Sequence, residues 1–498
     1  MNNEQQPIRE ALMSFAGTGD ALPQISRQFI TTLGVELKEE INLTNDIRGA
    51  IENLYPKSNN DRPMSQAFRQ AFDRTQHAYI IGSMDGHNIE TTTDDVRDML
   101  FFAVDLDQGQ PVTRTEAANL ARIFNRLSKA NPVVLLIRQG TTIALALCER
   151  TEYQQQWRTG QKLGKVRILM NINCREPHRG HIDILAALAA RQCSTFDAIY
   201  DHWLDTLSVS NLNKQFYRRL QDWYFVAVQQ TQFPNDITRA DDYQAHNEEA
   251  IIRLITRFIF VWFLKQKDLV NDDIFDTDKL AALLRDFDPQ SEQSGNFYNA
   301  IAQNLFFATL NRKIEERKFV VSSYQGKSKE HDIKSFYRCR DLFAKGLDDN
   351  AILVLFRQTP YVNGSLFDCL DNYKDEDDGH TYSYDGFSNS RTDQNGIIKR
   401  AFVPNRLFFA PEDSIEAQIS FNDDGKSHTQ IVRATGLITL FRLYYFTVEE
   451  NTPLEEQIAL DPELLGRVFE NLLGAYNPET QQTARNATGS FYTPREIV

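Results

Sequence analysis

The chain has 498 residues, which is too long for one hydrophobic core, so roughly two to four domains are expected. Its hydrophobic fraction of 41% and charged fraction of 24% are those of an ordinary globular protein. The net charge of −14 argues against a nonspecific coat for nucleic acid. The negative total charge is compatible with a local basic cleft that binds DNA, because the charge of the groove and not the total charge decides binding.

The five cysteines are scattered without a C-x-x-C pair, which favours a reducing compartment and no zinc knuckle. The opening stretch "MNNEQQPIRE" lacks the apolar core of a signal peptide. The longest apolar run, Phe258–Leu264, is far too short to cross a bilayer. These features predict a cytoplasmic protein with no membrane partner.

Residues 1–55 predict an N-terminal helical segment, because "IREALMSFA" and "ISRQFITTLGV" have helical apolar spacing. Residues 60–190 predict an α/β module. Its helix begins with Thr113 as cap and Glu116 at the third position, and a hairpin is expected at Gly140. The predicted strands are 78–84, 98–106, 132–140, 142–150 and 164–172, and the predicted helix is 113–130.

Residues 193–345 predict a mainly helical connector. Its stretch 247–270 is apolar almost all round and predicts a buried central helix, with Arg253 and Arg257 on one face. Further along, 351–357, 406–411 and 443–448 predict strands or short helices, 371–397 a mobile acidic insertion, and 461–476 a helix. The predicted fold is therefore α/β plus mainly helical and multidomain, with a mixed α/β region at 346–455 and a last segment at 456–498.

Two Glu-x-Lys triplets could serve a metal-dependent nuclease, which uses carboxylates to hold the ion and a lysine beside them. One is Glu36-Leu-Lys38, with Asp20 upstream, and the other is Glu316-Arg-Lys318. The alternative for each is a solvated charged turn or helix face, which such triplets form often by chance.

Asp105 and Asp107 end a predicted strand, where acids can bind a metal ion. The next strand carries Arg138 in place of a lysine triplet, which disfavours catalysis there. The α/β module is thus either a true nuclease fold or a degenerate one, and Mg²⁺ is expected only in the first case.

The stretch "EPHRGHID" brings His178, His181 and Asp183 together. The H-x-x-H spacing could place both rings on one helix face, but no glutamate lies between them and no distant third ligand is evident. A structural role at a helix start is the favoured interpretation. The chain also has no nucleophile elbow, P-loop or dinucleotide fingerprint, which disfavours a nucleotide-driven motor.

Basic side chains beside aromatic ones form two clusters that could contact DNA phosphates. The alternative is a solvated helix face. The candidate DNA-binding residues are Lys214, Arg218, Arg219, Lys327, Lys329, Lys334, Arg338 and Arg340.

The run from Pro453 to the end carries two motifs in a fixed order. The first is a D-P-E-x-L-G-x-x-[FY]-E-x-L helix, and the second is G-S-F-Y-T-P, where Thr493, Pro494 and Glu496 form a capping box that opens a helix. The first motif consists of Asp461, Pro462, Glu463, Leu465, Gly466, Phe469, Glu470 and Leu472, and the second of Gly489, Ser490, Phe491, Tyr492, Thr493 and Pro494.

This order resembles the entry into the methyltransferase domain of type IIG restriction–modification enzymes and of related phage-defence DNA adenine methylases. Upstream pieces such as "SFAGTGDALPQISRQFITTLGV" and "RLITRFIFVWFLKQKDLV" are similar to the same family. The resemblance implies that 456–498 opens a class I methyltransferase domain. It further implies S-adenosylmethionine as cofactor, held in part by Gly489–Pro494, and transfer of its methyl group to N6 of a flipped adenine in double-stranded DNA.

The D-P-x-x-G-x-G cofactor loop and the N-P-P-Y motif of that family do not occur in the sequence, and "YNPET" at 476–480 does not replace the latter. We therefore expect these residues alone to be inactive, either as a truncated piece of a longer polypeptide or as a subunit that works with a separate methylase. The alternative function is a non-catalytic scaffold that binds DNA or the other subunits of such a system.

Overall fold

A computed structural model describes most of the chain, in two compact units. The described residues are 5–17, 21–38, 45–58, 63–84, 98–128, 131–152, 161–189, 196–234, 240–320, 336–362, 364–371, 373–374, 381–423, 426–448 and 455–460. Unit 1 comprises residues 1–215, 443–445 and 449–460, and unit 2 comprises 216–442, 446–448 and 461–498. Among the described residues, no helix is long and apolar enough to cross a membrane.

Helices and strands are interspersed in the first part of the described chain, and helices predominate in the rest. The first part has α1 Gln6–Ser14, α2 Leu22–Thr32, α3 Arg48–Ser58, α4 Gln66–Asp73, β1 Thr75–Met84, β2 Met99–Leu106, α5 Arg114–Leu127, β3 Val133–Gln139, β4 Thr142–Glu152, β5 Gln161–Asn173, α6 Arg179–Ala189 and α7 Phe196–Thr206. The rest has α8 Val209–Gln230, α9 Ala240–Lys265, α10 Thr277–Leu283, α11 Asp349–Leu353, β6 Tyr373–Lys374, β7 Thr381–Tyr382, α12 Arg406–Phe409, β8 Ile415–Asp423, β9 Lys426–Ala434, α13 Leu437–Leu443 and β10 Glu455–Gln457.

Unit 1 is built on a six-stranded mixed sheet with the order β1-β2-β3-β4-β5-β10. β2 pairs with β3 in parallel, and β10 pairs with β5 in parallel. The other three pairings are antiparallel. Since parallel neighbours need a crossover connection, α5 carries the chain from the end of β2 back to the start of β3.

Helices cover both faces of this sheet, and the side chains of β2 alternate between these two faces. Phe102 contacts Phe124 of α5 on one face, and Phe101 contacts Trp203 of α7 on the other. The side of α5 forms a hydrophobic core, where Phe72 of α4 joins Phe124 and the inward residues of the strands. The α/β character that the sequence predicted for this region is confirmed.

The predicted start of α5 and the predicted β3–β4 hairpin are also confirmed, whereas α5 ends at Leu127 and not at residue 130 as predicted. Thr113 Oγ1 accepts a hydrogen bond from the Glu116 amide, and the Glu116 carboxylate accepts one from the Thr113 amide, so the capping box is complete. Gly140 closes the hairpin with a φ of +60°, a conformation that glycine adopts without a steric penalty.

Unit 2 surrounds α9, the helix that the sequence predicted as buried and central. Its Phe258 lies among aromatic rings from other segments, with ring centroids 5.1 Å from Phe306 and 5.3 Å from Phe408. Phe306 belongs to the second of two successive π-helical segments, Phe297–Ala302 and Asn304–Leu310. The sequence periodicity did not predict these π-helices. Every residue of both segments is buried.

Three stretches of the mixed region were predicted as strands or short helices. Residues 351–357 and 406–411 contain short helical turns, as predicted, whereas 443–448 follows the end of α13 and forms no strand or further helix. Two-stranded pairings occur elsewhere, at β6–β7 and at the hairpin β8–β9.

The acidic stretch 371–397 also differs from the mobile insertion that its composition predicted. Asp371 and Asp385 are buried, and Phe387 is fully buried. Backbone amides of residues 384–387 donate to the Asp371 carboxylate, which explains how so polar a segment enters a core. Residues 372 and 375–380 of this stretch lie outside the described part of the chain.

Candidate functional site

Two groups of charged side chains lie at the carboxyl ends of the parallel strands β2 and β3, one formed by Asp105 and Arg138 and the other by Arg74, Asp107 and Glu116. Asp105 and Asp107 come from the end of β2, Arg138 from β3, Glu116 from the first turn of α5, and Arg74 from the turn before β1. In open α/β sheets, ligands bind at this end of the strands. We call these five residues the strand-end cluster, and the nuclease prediction depends on whether its acids are free to bind a metal ion.

Each acid of the strand-end cluster is bound by an arginine. Arg138 donates two hydrogen bonds to Asp105, of 3.0 and 2.7 Å, and these bonds raise the pKa of Arg138. Arg74 donates to Asp107 at 3.0 Å and to Glu116 at 3.2 Å. Burial alone raises the pKa of Glu116, but hydrogen bonds from Thr113 and Arg74 outweigh it and keep the pKa low. The strand-end cluster therefore consists of two sets of ion pairs, in which each carboxylate is bonded to an arginine.

This arrangement does not fit a Mg²⁺ site, because the ion needs carboxylate oxygens that no guanidinium occupies. In the described ranges, no group of three or more His, Cys, Asp or Glu side chains is placed to hold a metal ion. We therefore interpret the strand-end cluster as a brace that joins α4, α5 and the ends of two strands.

Asp98 and Arg312, which contact the two Glu-x-Lys triplets, do not belong to the strand-end cluster. Lys38 lies 3.5 Å from Asp98, and the Lys38 amide donates to the Ser83 carbonyl. Glu316 pairs with Arg312 at 3.2 Å, while Lys318 Nζ lies 5.3 Å from the ring centroid of Phe336. Asp20 lies outside the described residues. Both triplets thus make local surface contacts, as the alternative interpretation expected.

His178 and His181 do come together, with ring centroids 5.6 Å apart. The third neighbour is an aromatic ring and not a carboxylate, since Tyr445 lies 6.2 and 6.0 Å from the two rings. Asp183 instead accepts hydrogen bonds from Arg179 at 2.8 Å and from Gln5 at 2.9 Å. The predicted structural role at the start of α6 agrees with these contacts.

The candidate DNA-binding residues fall into different environments. Lys214 and Arg218 are exposed on α8. Arg219 pairs with Glu412 at 3.1 Å, and Arg340 pairs with Asp349 at 2.9 Å. Lys327, Lys329 and Lys334 lie outside the described residues.

Arg338 requires a correction, because it is only 3% exposed. Its guanidinium donates to the Phe387 carbonyl and lies 4.8 Å from the Phe387 ring centroid. The side chain is therefore an internal support of unit 2, and a phosphate on the surface cannot reach it.

Arg253 and Arg257 lie on the same face of α9, and both approach one buried carboxylate of unit 2. Arg257 lies 2.7 Å from Asp385, and Arg253 lies 4.0 Å from the same carboxylate oxygen. Burial raises the pKa of Asp385, but the two arginines outweigh it and hold the pKa below its ordinary value. The sequence indicated the two arginines but not their acid, which is 128 residues away from Arg257.

The short edge strand β10 was also missed by sequence reasoning. Glu455 accepts a hydrogen bond from Arg122 at 3.0 Å and one from Thr115 at 3.1 Å. Glu456 accepts from Lys165 at 3.0 Å and from the Val209 amide at 2.9 Å. The acidic lead-in "PLEEQ" is thus a strand fixed to the sheet by its charges.

Both motifs of the methyltransferase resemblance, including Gly489–Pro494, lie outside the described residues. No family model, curated protein or solved structure matches the chain. That segment is therefore known from its sequence alone.

Proposed function

We propose that the chain is the N-terminal part of an S-adenosylmethionine-dependent DNA adenine-N6 methyltransferase of a restriction–modification or phage-defence system. The observation that carries this proposal is the ordered pair of motifs at 461–472 and 489–494. The catalytic motifs of such enzymes are absent from these 498 residues, so this portion prepares a site that other residues complete.

The way in which the chain reaches those motifs supports the proposal. β10 is held in the sheet of unit 1, and the Ile458 amide donates to the Ile168 carbonyl at 2.8 Å. Asp461 follows only three residues later.

The chemistry proposed for Gly489–Pro494 is binding and orientation. The sequence predicts that Thr493 caps a helix, and the first amide groups of a helix have no partner within it, so such an N-terminus favours an anion such as the carboxylate of a methionine moiety. The cofactor would supply the methyl group. The small residues Gly489 and Ser490, which precede the predicted cap, are of the kind that permits close approach of a ligand to the backbone.

A nuclease activity in the α/β module is not part of this proposal. Asp105 and Asp107, the acids that could have held Mg²⁺, are each bonded to an arginine. The degenerate form of the module is the interpretation that agrees with these pairs.

Methyl transfer tests the proposal. The chain is produced together with the polypeptide that its gene encodes after Val498, and labelled S-adenosylmethionine is added with duplex DNA. We expect label on adenine N6, and we expect none from the 498-residue chain alone. Thr493→Ala should weaken cofactor binding by about fivefold, because loss of a helix cap costs about 1 kcal/mol.

A folded complete protein that labels no DNA would contradict the enzyme proposal. Thr113→Ala is the matched control, since it removes the cap of α5 in unit 1 and leaves the proposed cofactor segment intact.

The second candidate function is a non-catalytic scaffold that binds DNA or partner subunits. Exposed Lys214 and Arg218 on α8 favour it, because neither needs the missing motifs to contact a phosphate. DNA binding by the 498-residue chain that falls with Lys214→Ala and Arg218→Ala, and with rising salt, would support this function.

A further inference from the structure

The hairpin β8–β9 of unit 2 forms a two-stranded sheet that no other described strand joins. Its strands, Ile415–Asp423 and Lys426–Ala434, are paired with each other along their whole length. In an antiparallel pair, alternate residues of each strand direct their backbone N–H and C=O groups away from the partner strand. Such groups at an outer edge can pair with a further strand unless another part of the protein occupies them.

The outer edge of β8 is contacted by α8, and this contact fixes the alternation. Gln229 Nε2 donates to the Gln418 carbonyl at 2.9 Å, so this carbonyl points away from β9. Ile431, which lies opposite Gln418, therefore also directs its N–H and C=O groups away from the hairpin. The pair Asp423–Lys426 gives the same alternation, because a pair that closes a two-residue loop is hydrogen-bonded and lies an odd number of positions away.

The outer edge of β9 is unoccupied in the part of the chain that the structure describes. The alternation assigns its outward backbone groups to Thr429, Ile431 and Arg433. Apart from the pairing with β8, the bond that these three residues make to described residues is the one from Arg433 Nε to Glu416, at 2.9 Å, within the hairpin. Their outward N–H and C=O groups are thus available to a further strand.

The side chains of the same three residues lie on one exposed face of the hairpin. Ile431, at the centre, is 67% exposed, the highest value among the exposed large hydrophobic side chains of the described residues. On the opposite face, Val432 and Ala434 are buried. The hairpin is therefore packed on one face, and it presents an apolar side chain beside an open backbone edge on the other.

We propose that the outer edge of β9 pairs in antiparallel fashion with the same edge of a second copy of this chain, about a two-fold axis at Ile431. In this register, Ile431 of one copy lies opposite Ile431 of the other, and Thr429 lies opposite Arg433. The outward N–H and C=O groups of these residues all find partners across the two copies. The two hairpins then form one continuous antiparallel sheet.

The charges on β9 fit this register. Arg433 lies opposite a threonine, so no like charges are directly opposed, and Glu416 neutralises Arg433 within each copy. A register centred on Arg433 would oppose two arginines instead. The same patch serves both copies, which is the form of contact that a two-fold dimer requires. Because so short a seam is smaller than the interface of a permanent dimer, the association should be weak and concentration-dependent.

Sedimentation velocity of the 498-residue chain over a range of concentrations tests the proposal. We expect a monomer–dimer equilibrium that Ile431→Pro weakens at least about tenfold, because each copy loses one outward N–H and the symmetric seam loses two bonds. This N–H takes no part in the pairing with β8, so proline at this edge position leaves the hairpin intact. Gln418→Pro is the matched control, since it makes the same change at the opposite position on the outer edge of β8 and should leave the dimer unchanged.

Ile431→Cys tests the position of the two-fold axis. The Cα atoms of a hydrogen-bonded antiparallel pair lie about 5.5 Å apart, a distance that a disulfide can span. Oxidation with diamide should therefore link two copies of this variant. Gln418→Cys and the wild type, treated in the same way, should stay unlinked.

A chain that stays monomeric at every concentration would overturn the proposal. A dimer that Ile431→Pro leaves unchanged, that both proline variants weaken equally, or that Ile431→Cys fails to link would overturn it as well. Urea unfolding shows whether Ile431→Pro is folded. If it is not, Ile431→Lys takes its place, and the two opposed positive charges should weaken the dimer. None of these measurements involves S-adenosylmethionine or DNA, so their outcome is independent of the proposed function.

Discussion

His181 is a polar side chain in the core of unit 1 whose two ring nitrogens have no hydrogen-bond partner among the described residues. Burial, followed by the nearby His178, lowers the pKa of His181 from 6.5 to about 3. The folded protein therefore keeps this ring neutral while the unfolded chain protonates it near pH 6.5. Stability is lost as the pH falls below 6.5, and the loss levels off near pH 3.

We expect His181→Leu to remove this part of the pH dependence. Between about pH 7.5 and about pH 5 the wild type should lose about 2 kcal/mol more than the variant, which has no proton to bind at this position. Urea unfolding at both pH values measures the difference. Ile182→Val, a neighbouring buried change without a titrating group, should lower stability equally at both pH values. Identical pH dependence of His181→Leu and the wild type would refute this prediction.

The pair Arg257–Asp385 gives a prediction for unit 2, because both side chains are almost fully buried. Asp385→Ala leaves the Arg257 guanidinium buried without its counter-charge, and this should cost about 3–5 kcal/mol. Chemical denaturation monitored by fluorescence measures the loss. Replacing both partners by apolar residues, Arg257→Met with Asp385→Leu, should recover part of it.

The exposed pair Arg433–Glu416 is the matched control for charge removal, with side chains 67% and 56% exposed. Glu416→Ala should cost less than about 1 kcal/mol. If Asp385→Ala were as mild as Glu416→Ala, the stability of unit 2 would not depend on its buried ion pair.

At the scale of elements, β10 is a strand of three residues that stays in the sheet mainly through its side chains. Glu455→Gln keeps the shape of the side chain but removes the charge that holds Arg122 and, at 3.7 Å, Arg114. Hydrogen bonds to a charged group contribute about 1.5–3 kcal/mol. We expect the Ile458 amide, which donates to Ile168, to exchange with solvent at least about tenfold faster in the variant.

Amide hydrogen exchange followed by mass spectrometry checks this prediction. Glu316→Gln, which removes a surface partner of Arg312 in unit 2, should leave the exchange at Ile458 unchanged. Unchanged protection in Glu455→Gln would mean that the backbone bonds of β10 suffice.

Local patterns predicted the elements whose signals are local. The cap at Thr113, the hairpin at Gly140 and the burial of α9 all follow from residues within one segment. β10 could not be predicted, because its stability comes from Arg122 and Lys165, which are far away in sequence. The π-helical stretch Phe297–Leu310 is buried on every side, so its apolar residues show no helical periodicity. The sequence therefore could not predict the helix type of this stretch.

The same distinction applies to the candidate sites. The sequence disfavoured a nuclease site at Asp105, because the next strand carries Arg138 in place of a lysine triplet. In the structure, the parallel pairing of β2 with β3 places Asp105 and Arg138 directly opposite each other.

At the scale of the whole molecule, unit 1 is discontinuous in sequence. Its sheet receives β10, and its histidine pair receives Tyr445, from residues that follow all of α9–α13. A chain that ends after residue 442 therefore lacks one sheet edge and one wall of the His178–His181 pair.

We expect the amides of β5 to be less protected from exchange in a chain of residues 1–442 than in a chain of residues 1–460, because β5 loses its parallel neighbour. The amides of β2, which lies between β1 and β3, should differ less between the two chains. Equal protection of β5 in both chains would show that the edge strand is dispensable.

The late position of β10 also has a consequence during synthesis. Roughly 280 residues separate the end of β5 from Glu455, and ribosomes add about 5–20 residues per second, so β5 waits roughly 15 to 55 s for its neighbour. During this interval a strand with unpaired amides and carbonyls is exposed on the nascent chain, and neighbouring chains on the same messenger could pair with it. The arginines and lysine that later bind Glu455 and Glu456 lie beside this edge before those glutamates have been made. Like charges at the same positions of two identical chains repel each other, so we expect these side chains to oppose such pairing until β10 arrives.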